Sequence, residues 1–115
     1  MLKIKRAYEP PSPDDGKRIL IDRLWPRGLK REKAHVDEWL RNPAPNSELR
    51  KWFGYDPTKW TEFKKKYRKE LGETSDLVKK TKAEAKKETV RLVFSTKDAE
   101  HNNAAFLKEL LSREQ

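Results

Sequence analysis

The segment Asp22-Arg23-Leu24-Trp25-Pro26-Arg27-Gly28 holds side chains that are well suited to binding or proton transfer. Arginine guanidinium groups bind phosphate and carboxylate oxygens in a bidentate manner. Trp25 offers a flat face to a base, a sugar ring or an arginine, and Asp22 could orient an arginine or act as a general base. We therefore expect an anion site here, with Arg23 and Arg27 holding the anion.

Each of these residues also has a structural alternative. Asp22 could form a buried ion pair with Arg23, Arg27 or Arg6, and Trp25 could belong to the core. Arg27 lies between a proline and a glycine. A turn of that composition would hold the guanidinium in place, which favours a binding role for Arg27.

The polar segment 95–103 is a second candidate, because it joins an apolar run to a helical pattern. Backbone N–H groups at a helix N-terminus attract anions. Lys97 adds a mobile positive charge, Asn102 and Asn103 add neutral donors, and His101 could accept or donate a proton. Alternatively His101 is a structural histidine. We expect Asp98 to cap the following helix.

The elements that must position these segments follow from hydrophobic patterning. Residues 2–7 alternate apolar and basic side chains, which predicts a half-buried strand. Residues 17–22 and 89–94 are nearly continuous apolar runs, which predict strands buried on both faces. The carboxyl ends of parallel strands lie at one edge of a sheet, so we expect Asp22 and Ser95 to meet there.

Cap residues and apolar spacing predict the helices. A short helix is predicted around residues 36–40, stopped by Pro43-Ala44-Pro45, and another from Asn46 or Ser47 to Phe53, ended by Gly54. Further helices are predicted from Asp56-Pro57 to Gly72, from Thr74 or Ser75 to about Lys87, and after residue 100, the last burying Phe106, Leu107, Leu110 and Leu111. The fold class is therefore α/β, with a small, largely parallel sheet of three or more strands and helices around it, in a single domain over residues 1–115.

Composition limits the classes of function. The chain has 115 residues, a formal net charge of +9 and 41% charged residues. This charge favours a nucleic acid, a nucleotide or another anionic partner, although a Lys/Glu-rich solvated surface accounts for it equally well. Segment 49–57 interleaves Trp52 and Tyr55 with basic residues, a mixture that can bind single-stranded nucleic acid, although Trp52 and Phe53 could simply be core residues.

The sequence has no cysteine and two histidines, His35 and His101. Disulfides and thiolate nucleophiles are therefore excluded, and a multi-histidine zinc site is not expected. We predict neither a metal nor a cofactor. The first residues lack the apolar core of a signal peptide, and no stretch approaches transmembrane length, so we expect a cytoplasmic protein without a membrane partner.

Several motifs together resemble the YeaO-like branch of the family called domain of unknown function 488. Asp-Arg-Leu-Trp-Pro-Arg-Gly is the most specific of them, and the others run through nearly the whole chain: Arg6-Ala7-Tyr8, Asp15-Gly16, Asp37-Glu38-Trp39-Leu40, Ala44-Pro45, 48–53, Asp56-Pro57, 63–71 and 97–102. The resemblance implies a small α/β fold and no established activity. Longer family members carry a Cys-His-Arg triplet that would align with Asn102, Asn103 and Ala104. A cysteine-based reaction therefore cannot be transferred to this chain.

We predict a protein of uncharacterised function that binds an anionic, phosphate- or nucleotide-like small molecule at the carboxyl edge of its sheet. Asp22 and His101 would transfer protons if a reaction occurs. The remaining predicted site residues would bind the ligand: Arg23, Trp25, Arg27, Lys97, Asn102 and Asn103. The alternatives are a nucleic-acid-binding module that uses the basic surface, and a protein-binding domain in which the arginines serve only the fold.

Overall fold

The computed structural model describes residues 1–40, 46–54, 56–71, 76–98 and 100–113. Its strands form one entirely parallel sheet, which confirms the α/β prediction. The spatial order is β1-β4-β2-β3, so the two predicted buried strands, β2 and β4, occupy the centre. The bounds are β1 (Leu2–Arg6), β2 (Lys17–Leu20), β3 (Glu38–Trp39) and β4 (Val90–Phe94).

Helices connect and cover these strands. They are α1 (Arg31–Ala34), α2 (Ser47–Phe53), α3 (Trp60–Leu71), α4 (Asp76–Lys87) and α5 (Asn103–Arg113), with single 3₁₀ turns at Pro13–Asp15 and Pro57–Lys59. None of the described helices has the length and apolarity needed to cross a membrane.

The main core lies between one face of the sheet and helices α4 and α5. Ile19, Leu92 and Phe94 are each about 1% exposed and pack there with Ala104 and Leu107. Continuous apolar runs form such central strands because side chains on both faces are buried. A second cluster joins α2, α3 and α5, and within it the Phe53 and Phe63 rings stack with centroids 4.3 Å apart.

The caps of α2 follow the sequence prediction. The Asn46 side chain accepts a hydrogen bond from Leu49 N at 2.8 Å, and Gly54 ends the helix with a positive φ of 53°. Asp56 likewise caps the turn that leads into α3 by accepting from Thr58 N at 3.0 Å. These short-range contacts depend only on neighbouring residues, which is why the sequence reveals them.

Two local predictions were wrong. Residues 36–40 do not form a helix; β3 lies there and pairs with β2, Ile19 opposite Glu38, and a four-residue helix precedes it at α1. The cap of α5 is Asn102 rather than Asp98, because the Asn102 Oδ1 accepts from Ala105 N at 2.8 Å. Predictions for Pro43-Ala44-Pro45, Tyr55, Gly72, Thr74 and Ser75 fall outside the described residues.

Candidate anion-binding site

The loops that follow β2 and β4 meet at the carboxyl edge of the sheet, as predicted. Ser95 N donates a hydrogen bond to Asp22 Oδ2 at 2.9 Å. The Asn103 amide donates to the carbonyl oxygen of Ile21 at 3.2 Å. Arg6, at the end of β1, donates to the carbonyl oxygens of Ser95 and Thr96 at 2.8 and 2.9 Å. Residues more than 70 positions apart are thereby held together.

A cavity of about 270 Å³ opens between these loops and helices α2, α3 and α5. We call it the arginine cavity. Its wall contains six of the eight predicted site residues: Asp22, Arg23, Trp25, Arg27, Asn102 and Asn103. The rest of its wall is formed by Leu24, Pro26, Arg50, Phe53, Phe63, Ser95 and Thr96.

The guanidinium group of Arg27 lies at this cavity and is available to bind a ligand. The Tyr8 hydroxyl donates to the Arg27 carbonyl oxygen at 2.7 Å and so holds the backbone of the turn. The side chain is exposed, and its guanidinium forms no hydrogen bond or ion pair with any described residue. A guanidinium with five donors and no protein acceptor can bind an external oxyanion.

Arg50 is a cavity residue that the sequence analysis did not identify. Its side chain is half-buried, and its enclosed Nε atom has no hydrogen-bond partner among the described residues. Arg50 and Phe53 are three positions apart in α2, so they lie on the same side of the helix. That spacing was the available signal, but it does not reveal that this side of α2 faces the loop after β2.

Arg23 and Asp22 lie deeper in the wall. Burial raises the pKa of Asp22 above its ordinary value of 3.8, and interactions with Ser95, with Asn103 and with the charge of Arg50 oppose this rise. The charges of Asp22 and Arg23 are also felt at the buried Tyr67 hydroxyl, although burial is the main reason why its pKa is raised. The cavity therefore combines positive groups with one partly desolvated carboxyl group.

Trp25 is largely committed to protein contacts. Its Nε1 donates to the Leu29 carbonyl oxygen at 2.6 Å, and its ring meets Trp39 edge-on at 5.5 Å between centroids. The Arg31 guanidinium lies 4.9 Å from the ring centroid. Trp25 lines the cavity, but part of the aromatic surface that we expected to stack on a ligand is already covered.

The two asparagines also serve the fold. Asn102 is only 3% exposed, and its amide group donates to the Asp98 carbonyl oxygen at 2.7 Å while its Oδ1 caps α5. Asn103 uses its amide nitrogen on Ile21, as described above. Asn102 and Asn103 could therefore bind a ligand only through the donors and acceptors of their side chains that these hydrogen bonds do not use.

Lys97 and His101 do not line the arginine cavity. Lys97 is exposed, and His101 Nδ1 lies 2.9 Å from Asp98 Oδ2. The His101 ring also meets Trp60 edge-on at 5.4 Å between centroids. Although burial raises the pKa of Asp98, hydrogen bonds from Glu100 and His101 outweigh this effect and lower it. This arrangement orders the turn before α5.

The remaining wall is apolar. Phe53 and Phe63 are buried and contribute their stacked rings, whereas Leu24 is 67% exposed at the cavity. Among the described residues, no group of three or more His, Cys, Asp or Glu side chains is arranged to hold a metal ion. The cavity wall therefore combines basic side chains with an apolar side.

Comparison with known proteins places the chain in a family. The protein YeaO of Escherichia coli (strain K12) is 37% identical over 110 residues, covering 96% of each chain. A protein of Mycobacterium tuberculosis (strain H37Rv) is 34% identical over 111 residues, covering 96% of this chain and 93% of its own. Both are described as uncharacterised proteins, and no solved structure gives a significant match.

A family model described as "Inactive DUF488-N3 subclade" matches residues 1–115. The match covers all the motifs on which the resemblance rested, including the loops that form the arginine cavity. The chain therefore belongs to the family described as the inactive DUF488-N3 subclade.

Proposed function

We propose that the protein binds a small phosphate-like anion in the arginine cavity and catalyses no reaction. The observation that carries this proposal is the pair Arg27 and Arg50. Both line one cavity, and neither guanidinium has a hydrogen-bond acceptor among the described residues. An unpaired guanidinium that is half-buried, as in Arg50, is costly unless it receives an acceptor from outside.

The size of the cavity favours a small ligand. Pockets for drug-sized molecules usually have volumes of about 300–1,000 Å³, and this cavity of about 270 Å³ is slightly below that range. A free oxyanion or a phosphate group on a small organic body fits this volume.

Three observations support binding without catalysis. The chain has no cysteine, and Asn102, Asn103 and Ala104 occupy the positions where longer family members carry Cys-His-Arg. The subclade is itself described as inactive. His101, which was predicted to transfer protons, contacts Asp98 and Trp60 and does not line the cavity.

A thermal-shift titration with inorganic phosphate tests this proposal. A ligand at 100 times its dissociation constant stabilises the folded state by about 2.7 kcal/mol and raises the melting temperature by several degrees. Arg27→Ala and Arg50→Ala should each weaken binding about tenfold or more, because each removes charge-assisted hydrogen bonds. Arg68→Ala is the matched control, since Arg68 is exposed on α3 and does not line the cavity. Equal weakening in all three variants would contradict a localised site.

A second candidate function is binding of nucleic acid by the surface around Trp52. The ammonium groups of Lys59 and Lys66 lie 5.3 and 4.7 Å from the Trp52 ring centroid. Neither lysine forms an ion pair with a described residue. Lysines that are positioned on an aromatic ring and form no direct ion pair suit contacts with a phosphate backbone.

Salt dependence separates this function from the first. Binding of single-stranded DNA should weaken with rising salt, and each lost phosphate contact should reduce the log–log slope by about 0.7. We expect that reduction for Lys59→Ala and Lys66→Ala but not for Lys33→Ala on α1. An identical slope in all three variants would leave the Trp52 surface without a role in nucleic-acid binding.

A further inference from the structure

The arginine cavity contains a carboxyl group, which is unexpected in a site for an anion. Asp22 lines the cavity together with Arg23, Arg27 and Arg50. An ionised carboxylate next to a bound oxyanion repels it, and such a like-charge contact strongly weakens binding when it is poorly solvated. The position of Asp22 therefore requires a ligand that does not simply repel it.

Asp22 retains capacity to accept further hydrogen bonds. Its Oδ2 accepts from Ser95 N at 2.9 Å, and the side chains of Ser95 and Asn103 also act on the carboxyl group as hydrogen-bond donors. An ionised carboxylate has about four acceptor sites on its two oxygens. The carboxyl group can therefore both tie the two loops together and accept a hydrogen from a ligand.

We infer that the arginine cavity selects an oxyanion that carries a proton, namely phosphate or a protonated phosphate group, and discriminates against sulfate. The P–OH group donates to the Asp22 carboxylate, while Arg27 and Arg50 bind the unprotonated oxygens. Sulfate has no proton at neutral pH. A sulfate oxygen next to the Asp22 carboxylate would therefore place two hydrogen-bond acceptors together with no hydrogen between them. This inference deepens the proposed function and rests on it.

The charged groups around Asp22 are consistent with this assignment. Arg50 on α2 and Arg23 in the same loop supply positive charge, and the buried Tyr67 on α3 senses the Asp22 charge. From the other loop and α5, Ser95 and Asn103 supply neutral donors. The acceptor capacity that these donors leave on Asp22 is available to a P–OH group of the ligand, so binding depends on the ligand carrying a proton.

The test compares the dissociation constants of inorganic phosphate and sodium sulfate at pH 7.5, by calorimetry, for the intact protein and for Asp22→Asn. The intact protein should bind phosphate at least tenfold more tightly than sulfate. In Asp22→Asn the two affinities should lie within about threefold, because the amide no longer repels sulfate and can still accept from Ser95 N. Adenosine monophosphate, as a third probe, distinguishes a phosphate ester from the free ion.

A pH series on the intact protein supplies a readout that does not depend on the variant. The preference for phosphate over sulfate should shrink as the pH is lowered through the raised pKa of Asp22, because Asp22 then takes a proton from solvent and stops repelling sulfate. Equal affinities at pH 7.5, or an unchanged ratio in folded Asp22→Asn, would overturn the inference while leaving the proposed function intact. If neither anion binds either form, the proposed function itself fails.

Discussion

Asp15 and Asp22 both lie among basic residues, but the two places are built in opposite ways. Asp15 is the last residue of the Pro13–Asp15 turn, and its carboxylate lies 3.1, 2.6 and 3.4 Å from the cationic groups of Lys5, Arg18 and Arg91. We call this arrangement the Asp15 cluster. Arg18 is 2% exposed, and it also donates to the Ala34 carbonyl oxygen at 3.1 Å. The cations here contact the carboxylate directly.

At the arginine cavity the carboxyl and guanidinium groups are not paired in this way. Asp22 is held by the Ser95 N–H, and Arg27 and Arg50 make no ion pair with a described residue. The pKa values move in opposite directions. Burial raises the pKa of Asp22, whereas at Asp15 hydrogen bonds, chiefly from Lys5, overcome the effect of burial and lower the pKa to about 2.

The comparison distinguishes a structural arginine from a binding one. The Arg18 guanidinium donates hydrogen bonds to Asp15 and to the Ala34 carbonyl oxygen inside the fold, although its Nη2 has no partner among the described residues. The guanidinium groups of Arg27 and Arg50 have no acceptor among the described residues, and both side chains line a cavity. Removing a charged side chain from the Asp15 cluster should therefore lower the free energy of unfolding, whereas removing an arginine from the arginine cavity should weaken ligand binding.

The largest expected effect is in the Asp15 cluster. Asp15→Ala should lower the free energy of unfolding by about 3–5 kcal/mol, because it leaves the buried Arg18 without its carboxylate. Urea denaturation measures this loss. Asp14→Ala is the control, since Asp14 is exposed, and it should change stability by about 0.5 kcal/mol or less. A similar loss in both variants would remove the special role of Asp15.

Acid should weaken the same cluster. The pKa of Asp15 is about 2 when folded and 3.8 when unperturbed, so its stabilising contribution is complete above the unperturbed pKa. That contribution is lost as the pH falls from about 4 to about 2. Unfolding curves of the parent protein and of Asp15→Asn should therefore converge over this range, and parallel curves would contradict the assignment.

Asp22→Asn should act in the opposite direction. Because the folded pKa of Asp22 is raised, its ionisation destabilises the fold once the pH exceeds the unperturbed value of 3.8. At pH 7, in buffer without phosphate or sulfate, the variant should melt at a higher temperature than the parent. The difference should vanish below about pH 3, where both states are neutral. A less stable variant at pH 7 would show that Asp22 serves the fold as Asp15 does.

The smallest effect on stability is expected for Arg27→Ala. Its guanidinium makes no hydrogen bond or ion pair with the described residues, so the free energy of unfolding without ligand should change by about 0.5 kcal/mol or less. Arg18→Ala is the matched arginine variant and should lose much more stability, because it breaks the buried pair with Asp15. Comparable losses in the two variants would erase the distinction between the regions.

Much of the fold can be predicted from local patterns. β2 and β4 follow from continuous apolar runs, and α2 follows from Asn46 and Gly54 at its ends. β3 cannot be predicted in this way. It has two residues and exists because Glu38 and Trp39 pair with the edge of β2, and the surrounding pattern is too weak to exclude a short helix.

The residues of the candidate site likewise divide into those that the sequence places together and those that only the tertiary structure brings there. Asp22, Arg23 and Arg27 belong to one contiguous segment, so their proximity follows from the chain itself. Arg50 reaches the cavity because a buried cluster, which includes the stacked rings of Phe53 and Phe63, packs α2 against α3. Lys97 and His101 are in the predicted loop, but the turn held by Asp98 keeps them out of the cavity wall.

By itself the sequence determined the strands that form the centre of the sheet, the edge where their loops meet and the basic segment that follows β2. These features depend on residue type and short-range spacing. Only the tertiary structure decided which basic side chains have an internal acceptor, since that depends on distances between residues far apart in the chain. Arg18 has Asp15 beside it, whereas Arg27 and Arg50 face a cavity.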